Sequence, residues 1–301
     1  MAMKLSRLIG TSTEYWLNLQ NAYDALLAEF YSEMELQEER RILKSLQYTY
    51  FRDYFHLPDL PQKEDEQVVA VRDFLRVASL TVLSKYDLAA SFRSASGEKL
   101  GGSQIPANAM VQITVNQALG MDAPKFNRHQ LERVAEYALT LTETPEDLRK
   151  LLFNEFLKAG VLLIILPDHP GSEINGAAKK IVDKVLLMIN GRWLQSDRFW
   201  FVLFHVIGQI LNGDFGMFLE GRTISPGSDR ADQYAADKLI PPDRYRAFLA
   251  SHSCFTPEDI IRFAQEIHRN PGIVMGRLLD DHYIAANDES MRRMKIKYNV
   301  V

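Results

Sequence analysis

The chain has 301 residues, 47% of them hydrophobic, with a formal charge of -4 and a pI near 6.0. That is enough apolar material for a sizeable core in two units. The acidic balance argues against non-specific nucleic-acid affinity, which rests on Lys and Arg neutralising phosphates, and the one cysteine, Cys254, permits no internal disulfide. As the sole thiol with no activating partner in sight, Cys254 reads as structural rather than nucleophilic. No opening apolar run reads as a signal peptide, and the apolar stretches are too short to cross a bilayer. The expected compartment is the cytoplasm, with no membrane partner.

From residue 12 to about residue 57 breakers are few, and charges and aromatics recur at spacings that suit amphipathic helices. Glu33, Glu35, Glu38, Glu39, Arg40 and Arg41 read as a solvated face. Tyr48, Tyr50, Phe51, Tyr54 and Phe55 read as core or inter-helix packing rather than a binding platform. Pro58, Pro61 and Glu64-Asp65-Glu66 mark a connection, and residues 97–106, with Gly101-Gly102, mark another. The expected division is a helical region over 1–100 and a second domain over 101–301.

The second domain mixes helix and strand. Thr144-Pro145-Glu146-Asp147 predicts a helix start, with a capping hydroxyl, proline in the first turn and acid behind it, and that helix ends at Gly160. Val161-Leu162-Leu163-Ile164-Ile165-Leu166 predicts a buried strand, and Lys184-Val185-Leu186-Leu187-Met188-Ile189-Asn190 a second one closed by a tight turn at Asn190-Gly191. Residues 199–211 form an apolar run long enough for a buried helix. Thr256-Pro257-Glu258-Asp259 starts another capped helix, and residues 294–300 alternate like a terminal strand. The fold class is α+β, with a small sheet packed on helices and no internal repeat.

The apolar helix carries the chemistry-bearing pattern. A zinc protease uses H-E-x-x-H because two histidines four apart on one helix face reach one ion while the adjacent Glu takes a proton from the bound water. Here the frame reads His205, Val206, Ile207, Gly208, Gln209. Valine cannot act as a base, and a neutral amide is a poor zinc ligand beside imidazole. In isolation, His205 and Gln209 read as core polar groups paired with each other or with nearby backbone.

The flanking residues suggest more. Asp197-Arg198-Phe199-Trp200-Phe201-Val202-Leu203-Phe204-His205 resembles the approach to the zinc helix of the ImmA/IrrE metallopeptidase family, in particular its HigA-like antitoxin branch. Ala231-Asp232-Gln233-Tyr234-Ala235-Ala236-Asp237-Lys238-Leu239-Ile240-Pro241 resembles the family's second signature, E-x-E-A-[ND]-x-F-A-x-x-L-[IM]-P. Phe263-Ala264-Gln265-Glu266-Ile267 and Pro271-Gly272-Ile273-Val274-Met275-Gly276-Arg277-Leu278 resemble its late helix and G-I-V-x-G-R-L segment, while residues 74–80 and 90–93 are similar to the region ahead of the peptidase domain. Leu8-Ile9-Gly10-Thr11-Ser12-Thr13-Glu14-Tyr15-Trp16-Leu17-Asn18-Leu19-Gln20 resembles the last helix of a Cro/repressor-type helix-turn-helix domain.

The resemblance implies a zincin-like fold whose small sheet packs against the zinc helix. Departures from the pattern imply that its chemistry is gone. The acidic positions that should supply the third ligand fall on Ser228 and Arg230, neither of which can serve. Metal is therefore not expected; His205, Asp229 and Asp232 remain as donors for a rebuilt zinc site, and Asp280-Asp281-His282 as a local donor cluster that reads more simply as a polar loop. His129, His169, His252 and His268 read as ordinary surface or turn residues.

A groove-reading helix does not fit in the few residues before Gly10, so direct sequence-specific DNA binding by this chain alone is not expected. The leading expectation is an inactive, antitoxin-like regulatory or binding protein, of the kind found with toxins or in phages and mobile elements, which recognises a protein or peptide partner. The alternatives are a divergent metallopeptidase, a transcriptional regulator whose DNA binding comes from another chain, and a remnant with no ligand. A homo-oligomer formed through the N-terminal helices is also expected.

Overall fold

The computed structural model describes residues 2–85, 104–143, 148–219, 228–285 and 294–298. The chain divides into two compact units, Met1–Lys85 and Tyr86–Val301. Among the described residues no helix is long and apolar enough to cross a membrane.

The first unit is helical throughout: α1 (Ala2–Ile9), α2 (Thr13–Leu46), α3 (Tyr48–Phe55), α4 (Glu64–Leu75) and the single turn α5 (Val82–Lys85). Ser12 starts α2 by accepting a hydrogen bond from the Tyr15 amide at 3.1 Å, satisfying one of the donors that a helix start leaves open. Gln47 stops it by turning to a φ of 51°. Along its 34 residues α2 buries only Glu39, Ile42, Leu43 and Leu46, all in its last third. There it meets Phe51 of α3 and Val68, Val71 and Leu75 of α4, with Phe74 set edge-on to Phe51 at 5.8 Å.

Two expectations for this unit need correction. Glu39 is not part of a solvated face: it is fully buried, held by the Arg72 guanidinium and by the Leu80 amide at 2.7 Å. Burial of that carboxylate is tolerable because it is charge-paired and hydrogen-bonded at once. Glu64, Asp65 and Glu66 form the first turn of α4 rather than a connection, where the positive end of the helix dipole favours acid. Of the aromatic group, Tyr48, Tyr50 and Phe51 are buried, whereas Tyr54 is exposed.

In the second unit α6 (Gln104–Leu119), α7 (Arg128–Thr140) and α8 (Leu148–Lys158) precede β1 (Val161–Leu166), β2 (Ile174–Ile181) and β3 (Lys184–Asn190). Then come α9 (Ser196–Asn212), β4 (Gly216–Leu219), α10 (Ser228–Leu239), α11 (Pro242–Ser251), α12 (Pro257–Glu266) and α13 (Pro271–Asp280). The strands form one sheet in the order β1-β3-β2-β4, with β1 parallel to β3 and β2 antiparallel to both its neighbours. The strands expected over 161–166 and 184–190 are present, as β1 and β3. The sequence pattern did not indicate β2 and β4.

Residues 144–147, the expected helix start, lie outside the described residues, as do residues 90–93. Pro106 belongs to the first turn of α6, where a missing amide costs no intrahelical bond, so the expected connection gives way to helix before it. Asn190 ends β3 at a tight turn, its side chain accepting from the Arg192 amide at 3.2 Å and capping a short 3-10 turn. Thr256 and Asp259 form a reciprocal capping box at the start of α12. The segment 294–298 makes only an isolated bridge, Lys297 with Gln195, instead of joining the sheet. Its Tyr298 hydroxyl accepts from Trp200 Nε1 at 2.8 Å, and burial pushes the Tyr298 pKa up to about 12.

Candidate functional site

The site is organised by α9, which lies across β2 and β3 and is flanked by α10 and α13. Every residue of α9 except Arg198, Phe201 and Asn212 is buried. Phe199, Trp200 and Phe204 supply most of the apolar bulk, each worth about 2 to 3 kcal/mol for leaving water. An all-round apolar helix of this kind must be covered on every side.

Two glycines let the cover approach closely. A Cβ on Gly176 of β2 would sit 2.8 Å from Val206 Cγ2 and 3.2 Å from Val202 Cγ1, so the strand backbone rests directly on the valines of α9. A Cβ on Gly208 would meet Tyr234 Cδ1 at 3.0 Å and the Ala231 Cα at 3.2 Å, so α10 is drawn against the opposite side of the helix. Burial, helped by the charges of Glu136 and Glu132, pushes the Tyr234 hydroxyl well above its ordinary pKa.

His205 is fully buried, and its Nδ1 lies 2.8 Å from Asp232 Oδ1 on α10. With the carboxylate ionised, Nδ1 carries the proton and the ring is fixed in one tautomer. Metal-bound imidazoles are oriented by the same kind of carboxylate pair. Asp232 is thus tied to His205 rather than standing as a separate ligand on the helix surface. The other positions do not join them. Val206 turns toward the sheet backbone, and Gln209 is buried with no partner for its Oε1 among the described residues. His205 pairs across to α10, not along its own helix to Gln209.

Asp229 and Arg230 are exposed in the first turn of α10, and Ser228 opens that helix. Asp281 is engaged by the Tyr245 hydroxyl at 2.9 Å and by Arg277 Nε at 2.7 Å, so the Asp280 to His282 segment is bonded within the fold. Among the described residues no group of three or more His, Cys, Asp or Glu could hold a metal ion. Among the described residues His205 and Asp232 are the donors brought together, fewer than the three that a zinc site takes from the protein.

No protein-family model matches the chain, and no curated protein matches it.

Some polar residues around this core escaped the sequence reading. His169, read as a surface or turn residue, does open a turn, its carbonyl accepting from the Ser172 amide at 2.9 Å, but its ring is fully buried, with Nδ1 accepting from the Gly171 amide at 3.1 Å. Asp197, in the first turn of α9, is buried against Lys295 Nζ at 2.7 Å, which ties the helix start to segment 294–298. Nothing in the local sequence singles out that pair, because its partners are almost a hundred residues apart. Gly208 had a signal: a lone glycine inside an apolar helical run points to close packing.

Proposed function

We propose that the second unit is an ImmA/IrrE-like, zincin-type fold that has lost its zinc chemistry and works as a binding or regulatory module for a protein or peptide partner, in the manner of a HigA-like antitoxin. The observation that carries this reading is Val206. At the position where the family's motif has its catalytic Glu, this chain has a fully buried valine seated on the Gly176 backbone. A zincin needs that side chain to reach a metal-bound water; here it is core. The retained His205–Asp232 pair holds α9 to α10 and serves the scaffold. A partner peptide needs no metal, because backbone hydrogen bonds and side-chain pockets suffice to hold an extended segment.

Elemental analysis of untagged protein purified without chelators tests the reading. Near-zero zinc, together with no turnover of candidate partner proteins, is the expected result. About one equivalent of zinc per chain, lost in His205→Ala with helicity retained, would overturn it and make the protein a divergent metallopeptidase.

A further inference from the structure

The first two-thirds of α2 bury nothing, yet carry an apolar stripe. Tyr15, Leu19, Tyr23, Leu26, Phe30 and Met34 are all exposed, Leu26 to 66%. Their spacing keeps them on one face of the helix, and the residues that α2 does bury, Ile42 and Leu46, project from the opposite face, roughly 140° to 180° around the axis from Leu19. The stripe therefore does not continue the helix's own core contact. Leu8 and Ile9 of α1 are exposed as well, and with the stripe they give apolar surface on the order of 1,000 Å², comparable to the roughly 800 Å² per partner of a standard interface; Leu17 and Tyr31 are exposed on other sides of the helix.

We propose that this face is covered by α2 of a second copy, running antiparallel. The stripe is symmetric about the point between Asp24 and Ala25: Tyr15 mirrors Met34, Leu19 mirrors Phe30 and Tyr23 mirrors Leu26. A two-fold axis there brings each residue onto its mirror partner, which is the self-complementarity an isologous interface requires. Charge selects the same direction. In that register residues 29–38, which carry Glu29, Glu33, Glu35 and Glu38 and no base, face residues 11–20, whose one charged residue is Glu14. Glu33 and Glu38 are paired within the chain with Arg40 and Arg41, while Glu29 and Glu35 have no ion-pair partner among the described residues. Helix α1 is fastened at the start of α2, where Trp16 Nε1 donates to Thr11 Oγ1 and Ser6 Oγ donates to the Thr11 carbonyl, each at 2.6 Å. An antiparallel copy sets the acidic stretch beside a segment with that single charge. A parallel copy would set each glutamate against itself, and like charges repel across such a seam.

Sedimentation equilibrium of the full chain, with circular dichroism as a check on helicity, measures the association. The expected result is a dimer whose dissociation constant rises about 100-fold or more in Leu26→Glu/Phe30→Glu, with the core of the first unit intact. Direction is read by disulfide trapping in a Cys254→Ser background. Tyr15→Cys protein mixed with Met34→Cys protein should cross-link, and Tyr15→Cys alone should not. A monomer at all concentrations would overturn the proposal and hand the stripe to a different protein. So would a dimer indifferent to the two glutamates, and self-trapping of Tyr15→Cys would replace the antiparallel arrangement by a parallel one.

Discussion

Helices α2 and α9 both carry large apolar residues at helical spacing, and the fold treats them oppositely. Helix α9 is buried at all but three of its 17 positions, because β2 and β3 lie under it and α10 and α13 lie beside it. Helix α2 is buried only where α3 and α4 reach it. Periodicity therefore establishes that a face exists, and the neighbouring elements decide whether the chain itself covers it. The most direct way to break this contrast is to place the same charge on both helices. Val206→Glu returns the letter of an active zincin but sets a carboxylate between α9 and the Gly176 backbone; we expect a loss of about 4 kcal/mol in urea unfolding and no gain of proteolysis. Leu26→Glu should leave the unfolding of the monomer within about 0.5 kcal/mol of the parent. Equal effects at the two positions would erase the distinction.

The contrast also runs within α2, between its exposed length and its buried last third. Glu39→Ala removes the carboxylate that Arg72 and the Leu80 amide share, leaving a cation and an amide donor without their partner. The expected cost is about 3 kcal/mol, lost from the first unit. Glu35→Ala, one turn away on the exposed length, should be neutral within about 0.5 kcal/mol. A neutral Glu39→Ala would mean that the ion pair is dispensable to the helix junction.

What was legible in the sequence follows from where the physical cause lies. Strands β1 and β3 show plainly as Val161-Leu162-Leu163-Ile164-Ile165-Leu166 and as the run from Val185 to Ile189, because strands buried on both faces are apolar throughout. Strand β2 is Ile174-Asn175-Gly176-Ala177-Ala178-Lys179-Lys180-Ile181, whose small residues lack β-propensity. Gly176 lacks a side chain where Val202 and Val206 of α9 rest on it, a tertiary cause with no local trace. The same limit applies to the site. His205 stood out through its motif frame, but its partner could not be chosen among Gln209, Asp229 and Asp232 until α10 was placed against α9. Glu39 shows the converse: a charge run reads as solvated unless a distant Arg72 is known to meet it.

The fit between β2 and α9 can be sharpened at Gly176 itself. Gly176→Ala inserts one carbon 2.8 Å from Val206 Cγ2 and 3.1 Å from the Met188 carbonyl, and only one of those neighbours is the end of a side chain. A cost of about 2 kcal/mol is expected, with most of it recovered when Val206→Ala is added. Strictly additive costs in the double variant would show that the two residues do not touch.

The smallest effect concerns the far end of the α9 surroundings. Asp280, at the end of α13, has its pKa raised, chiefly by burial and further by the charges of Asp281 and Asp197, against the opposing pull of Arg198 and Arg277. A carboxyl whose folded pKa lies above its unfolded one contributes stability that is fully present below the unfolded value and is lost as pH rises through the folded value. Asp280→Asn has no charge to bury, so the two proteins should be equally stable in acid, below the ordinary carboxylate range. At neutral pH the variant should lead by no more than about 0.5 kcal/mol, because the site is partly open to solvent and screened. Urea midpoints measured across that range would show the gap opening with rising pH. A variant less stable than the parent at neutral pH would mean that the attraction of Arg198 and Arg277 outweighs burial, and that this charge helps to hold α13 against α9.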